Sequence, residues 1–207
     1  MVRRVGIYPG TFDPVHHGHM VFATEALTNL QLDKVIFLPE PKPRDKQTVT
    51  DLTHRVAMIE QAIQASGRMH VMQSNSLSDQ FTVASTLPLL QQAFPGDSLT
   101  FLIGSDTAKT LDKWPDVADL LKNASLAIGM RSGDNQQQIG DLLQQLGADH
   151  DVSIRFTCID TLASHIASTD IRQPGGHILQ HPATIDYIRR HGLYQASNSL
   201  SVTYLLK

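Results

Sequence analysis

Six short apolar runs alternate with helix-period stretches along this chain, and that alternation limits the possible folds more than any other feature. The runs are Arg4–Tyr8, Lys34–Leu38, Met69–Met72, Leu99–Ile103, Leu126–Met130 and Val152–Phe156. Several are apolar at consecutive positions, as strands buried on both faces are. Between them apolar residues recur at helical spacing: Ala23, Ala26, Leu27 and Leu30, then Leu52, Val56, Ile59 and Ile63, then Ile139, Leu142, Leu143 and Leu146. Thr50 or Asp51 can cap the second helix, and Gly147 is placed to end the third. Thr82 to Phe94 also reads as helix, with Pro88 leaving its start open. Pro182 opens a last helix through Ile185 and Ile188, which Gly192 stops. Strand alternating with helix predicts an α/β fold, an open parallel sheet with helices on both faces. Such sheets bind ligands beyond the carboxyl ends of their strands, where the strand order reverses.

At 207 residues the chain can bury a substantial core without staples. The reading is one domain over 1–194 with a small carboxyl-terminal helical element, followed by a tail at 195–207 that begins polar and ends apolar. The net charge of −3 gives no broad basic field for a nucleic-acid partner. Cys158 is the sole cysteine, so no intrachain disulfide can form, which fits a reducing compartment. The opening MVRRVGIYPG lacks the apolar core of a signal peptide, and no run approaches the roughly 20 residues of a membrane span. The expected location is the cytoplasm.

The stretch GIYPGTFDPVHHGHM, residues 6–20, follows the first run directly. Gly10 lets backbone amides approach a bulky anion, and Thr11 adds a hydroxyl. The chain then passes Asp13-Pro14 and enters a helix whose first N–H groups and positive dipole end make a phosphate seat. His16 and His19 stand at that seat, where an imidazole can donate to phosphate or carry charge. For either piece taken alone, a structural turn with surface histidines is the favoured reading. Two histidines without a third ligand make a poor zinc site. Neither a P-loop nor a dinucleotide fingerprint is present.

The full string is more specific than its parts. Gly10-Thr11-Phe12-Asp13-Pro14 followed by His16-x-Gly18-His19 resembles the signature of the nucleotidyltransferase superfamily. Phe81-Thr82 with Thr86-Leu87, Gly104-Ser105-Asp106 ahead of Trp114, Ser168-Thr169-Asp170-Ile171-Arg172 and the ending Tyr187 to Tyr194 follow in the order found in bacterial nicotinate-nucleotide adenylyltransferases. That resemblance implies adenylyl transfer from ATP to nicotinate mononucleotide in NAD synthesis, with Mg²⁺ carried by the ATP phosphates rather than held by the protein.

The resemblance also implies roles. His16, His19 and Arg172 would be catalytic. Gly10, Thr11, Phe12, Lys46, Ser168, Thr169 and Arg172 would hold ATP and its phosphates. Thr82, Asp106, Trp114 and Arg55 would hold the mononucleotide, with Trp114 stacked on the nicotinate ring. Read from the residues alone, Trp114 covers a core edge, Asp106 serves as well as a helix cap, and Ser168-Thr169-Asp170 caps a helix. Nothing assigns His17 or His54 a role, and Cys158 packs. The segment Pro39-Glu40-Pro41-Lys42-Pro43-Arg44-Asp45-Lys46 lacks the histidine usual in these enzymes, which leaves Lys42 and Arg44 as rivals to Lys46. Phosphopantetheine adenylyltransferase shares the first motif, and nicotinamide mononucleotide is a rival acceptor. A silent nucleotide-binding regulator on the same fold is the reading from another class. A homo-oligomer is compatible with such a fold, but no interface is legible.

Overall fold

Val5 and Ile7 project to one side of the first strand and Tyr8 to the other, so both faces of that strand must be covered. A computed structural model of the chain describes residues 1–43, 48–72, 81–162, 164 and 181–194. Strands β1 (Arg4–Gly10), β2 (Lys34–Pro39), β3 (Met69–Val71), β4 (Ser98–Gly104), β5 (Ala124–Gly129) and β6 (Phe156–Ile159) form one parallel sheet in the order β3-β2-β1-β4-β5-β6. Ile7 sits in register between Ile36 and Phe101, which places β1 at the centre.

Helices α1 (His17–Asn29), α2 (Leu52–Ile63), α3 (Val83–Ala93), the short α4 (Ser105–Ala108), α5 (Val117–Asn123), α6 (Gln136–Asp149) and α7 (Pro182–Arg190) supply the two covers. Ile7, Leu38, Ile103 and Ile128 pack with Leu87 and Leu90 of α3, Leu121 of α5 and Leu143 of α6. Tyr8, Val35, Phe37 and Leu102 pack with Phe22 and Ala26 of α1, Ile59 of α2 and Ile188 of α7. Alternate strand residues therefore feed two separate cores, the arrangement expected of a parallel sheet buried on both sides. Helix starts are secured locally: Thr82 Oγ1 accepts from the Ser85 N–H, and Asn135 Oδ1 accepts from the N–H groups of Gln137 and Gln138.

Two sequence expectations shift. Gly147 does not end its helix, because α6 runs on to Asp149 and Gly147 lies against the chain returning beside it. A Cβ there would come 2.6 Å from the carbonyl oxygen of Val152. The last strand is Phe156–Ile159 rather than Val152–Phe156, since pairing with Leu126–Gly129 sets its register. Val152 and Ile154 instead pack against the core from the preceding loop. Pro88 is accommodated inside α3 on its solvent side. The tail at 195–207 lies outside the described residues. Among the described residues no helix is long and apolar enough to cross a membrane.

Candidate active site

The chain leaves β1 toward β2 on one side and returns to β4 on the other, so the strand order reverses between β1 and β4. A crevice forms at such a point above the carboxyl ends of the strands. Here those ends are Gly10 and Gly104, and a cleft of about 490 Å³ opens over them. Its walls include Tyr8, Gly10, Thr11, Glu40, Thr82, Trp114 and Arg131. A second concavity, about 430 Å³, lies at the amino ends of the strands beside Arg4 and Arg155, away from the reversal.

His16 caps α1 in an extended conformation and is 4% exposed. Its backbone N–H donates to Nδ1 of His19 at 3.2 Å, and the two rings lie 3.6 Å apart, centre to centre. With Nδ1 accepting, the ring proton of His19 sits on Nε2. His19 also contacts the rings of Phe12 and Tyr8, and Tyr8 forms part of the cleft wall. The histidine pair thus stands at the start of α1, with His19 against the Tyr8 ring that joins the cleft wall.

Burial, then the positive field of Arg131, then that of His17 push the His16 imidazole down from 6.5 to about 3. His16 is therefore neutral near pH 7 in the ligand-free protein. Its Nδ1 is buried with no hydrogen-bond partner among the described residues. An orphaned polar atom of this kind costs about 1–3 kcal/mol and asks for a partner.

Of the residues singled out from sequence, Gly10, Thr11, Thr82 and Trp114 come together on the cleft walls. Trp114 is partly buried, so one part packs on the core while another faces the cleft. The packed part matches the core-edge reading made from the residue alone, and the other part leaves a ring face on the cleft wall. The hydroxyl of Thr82 is engaged in capping α3, so the group it presents nearby is the amino terminus of that helix.

Three of the singled-out residues have protein partners of their own. The ring of Phe12 is 2% exposed and belongs to the core, so it offers ATP no side-chain contact. It fills the space a Cβ on Gly10 would need, 3.0 Å from that position. Asp106 is exposed and pairs with Arg131, Oδ2 to Nε 3.1 Å. Arg55 is the last of the three. It is 1% exposed, and its guanidinium donates to the carbonyls of Thr50 (2.8 Å), Thr11 (2.7 Å), Glu40 (2.8 Å) and Pro41 (3.0 Å). Those bonds tie three loops of the cleft together. Lys46, Ser168, Thr169 and Arg172 lie outside the described residues.

Arg131 is the residue that sequence reasoning missed. It follows β5 directly, its N–H donates to Ser105 Oγ at 3.1 Å, and its guanidinium lies on the cleft wall. A cation at the carboxyl end of a strand was the available signal, but a lone arginine in Met130-Arg131-Ser132-Gly133 carries no spacing pattern.

A histidine-bearing helix start beside the reversal point of a six-stranded parallel sheet is the arrangement of a nucleotidyltransferase-type domain. The cytidylyltransferase-like family model matches residues 7–174. The chain belongs to that family and, within it, to the nicotinate-nucleotide adenylyltransferases. It is 32% identical over 198 residues to a protein of Neisseria meningitidis serogroup A named as a probable nicotinate-nucleotide adenylyltransferase, covering 94% of this chain and 100% of the relative. A relative of the same name from Clavibacter michiganensis subsp. michiganensis is 34% identical over 200 residues, covering 93% and 94%. The fold of Plasmodium falciparum nicotinic acid mononucleotide adenylyltransferase complexed with NaAD matches with a TM-score of 0.73, over 93% of this chain and 97% of that one, at 21% identity.

Proposed function

We propose that the chain transfers the adenylyl group of ATP to nicotinate mononucleotide. The observation that carries this is the His16–His19 pair at the start of α1, beside the cleft walled by Trp114 and Arg131. In the reaction a phosphate oxygen of the mononucleotide attacks the α-phosphorus of ATP. The new P–O bond forms as the bond to the β-phosphate oxygen breaks, and pyrophosphate leaves with the electron pair. No covalent enzyme intermediate is needed, so the protein's work is alignment and charge stabilisation.

His19 donates from Nε2 to phosphate oxygen, and the first N–H groups of α1 add their dipole. His16, held neutral, donates without repelling the adjacent cation Arg131. Arg131 faces the anionic end of the acceptor, and Trp114 stacks on its ring. The amino terminus of α3 suits a ring carboxylate better than an uncharged amide, which supports nicotinate over nicotinamide. Lys46 and the Ser168, Thr169 and Arg172 segment are proposed as a second phosphate seat. The cleft's Arg131 and the nearby imidazoles suit anionic phosphates. Mg²⁺ is proposed to arrive on the ATP phosphates, where it would supply positive charge toward the departing pyrophosphate.

Labelled ATP tests the reaction. With nicotinate mononucleotide, an α-phosphate label enters the dinucleotide and a γ-phosphate label enters pyrophosphate. Release of ADP or free AMP in place of the dinucleotide contradicts the reading.

A further inference from the structure

Tyr194 meets the phosphate loop from 181 positions away: its hydroxyl donates to Asp13 Oδ1 at 2.6 Å. Asp13 is 4% exposed, and its other oxygen lies 3.4 Å from the N–H of Thr50. It follows Phe12, which is held at φ 50, and three residues later His16 caps α1. A non-glycine residue at positive φ persists where its surroundings over-determine it.

Two arms from one helix do this. In the first, Arg55 of α2 binds the carbonyl of Thr11, just before the turn. In the second, the neighbouring His54 of α2 shares a 2.8 Å hydrogen bond with the hydroxyl of Tyr187 on α7. Helix α7 ends with Leu193 N–H donating to the Ile188 carbonyl at 3.0 Å, Gly192 at φ 60 and Tyr194 at φ 58. That closure aims Tyr194 back at Asp13. The arms therefore grip residues 11 and 13 on either side of the left-handed Phe12. The arrangement also answers an electrostatic problem. A carboxylate three residues before a phosphate-binding helix start repels the ligand, and the Tyr194 O–H together with the charge of Arg55 disperses it.

We propose that Tyr194 is a positioning residue for the phosphate loop, holding the turn at Phe12 and Asp13 so that α1 and its two histidines meet ATP in register. This rests on the adenylyl-transfer reading above.

The experiment compares the full chain with Tyr194→Phe, Asp13→Ala and the double variant. Turnover and the KM values for ATP and for nicotinate mononucleotide are measured per folded molecule, the folded fraction coming from circular dichroism. The expected result for Tyr194→Phe is a fall of about tenfold or more in kcat/KM for ATP, with the mononucleotide KM little changed. The double variant is expected to be no worse than Asp13→Ala, because both remove one interaction. Wild-type values per folded molecule in Tyr194→Phe, equal losses for both substrates, or additive losses in the double variant overturn the proposal. If the wild type gives no turnover, the adenylyl-transfer reading fails on its own. ATP dissociation constants then decide this one: weakening in Tyr194→Phe supports it, and equality overturns it.

Discussion

The backbone N–H of His16 donates to Nδ1 of His19, so the cap of α1 fixes which nitrogen of His19 carries the proton. The same contact holds the rings 3.6 Å apart. Sequence spacing alone puts two histidines on one helical turn; this bond makes one of them an oriented donor.

His19→Ala is expected to keep the fold and lower kcat by at least about a hundredfold, the usual loss for a transition-state donor. Steady-state kinetics with a circular dichroism control measures it. Near-normal turnover contradicts the role given to His19.

The depressed His16 imidazole makes stability depend on pH in a definite direction. Its folded value is about 3 and its ordinary value 6.5, so between these the unfolded chain binds the extra proton. The stabilisation is complete above about pH 6.5 and is lost as pH falls toward 3, amounting to a few kcal/mol at about 1.4 per unit. Burial, with a smaller contribution from His17, also holds His181 low, so it adds in the same sense. Urea unfolding at pH 7, 6, 5 and 4 should show a steady decline in the wild type and a shallower one in His16→Gln. Equal slopes contradict the assignment. Arg131→Ala should raise the His16 value, as read by NMR titration of the ring, because the arginine is the second cause of its depression.

Arg55→Met should leave the carbonyls of Thr11, Glu40, Pro41 and Thr50 without their donor. The expected cost is about 3 kcal/mol, or roughly 6–12 °C in Tm for a domain of this size. Thermal unfolding measures it. A change within 2 °C would mean that Arg55 does not clamp the three loops.

Trp114→Ala should raise the mononucleotide KM by about tenfold while changing the ATP KM much less, since the loss falls on one ring contact. Equal effects on the two substrates count against stacking.

The sheet and its cover helices were legible because apolar periodicity is a local signal that burial on both faces reinforces, as Val35, Phe37 and Leu102 illustrate. The register of β6 was not. Phe156–Ile159 alternates weakly, and its place is set by pairing with β5 rather than by its own composition. The turn from Gly10 into α1 was legible through a dense, ordered motif. The parts of Arg55, Asp106 and Arg131 were not, because each depends on partners distant in sequence. Arg55 reaches back to Thr11, and Arg131 reaches back to Asp106 and Ser105. Phe12 lies inside the motif, and the fold uses its ring to fill the core beside Gly10, which the motif alone does not show.

The central claim is the identity of the acceptor. Pyrophosphate release from ATP and Mg²⁺ should be measured in parallel with nicotinate mononucleotide, nicotinamide mononucleotide and 4′-phosphopantetheine. The account predicts the highest kcat/KM with nicotinate mononucleotide, by about tenfold or more over nicotinamide mononucleotide, from the charge of one carboxylate at the start of α3. Preference for either other acceptor, or ATP binding with no turnover on any of them, contradicts it.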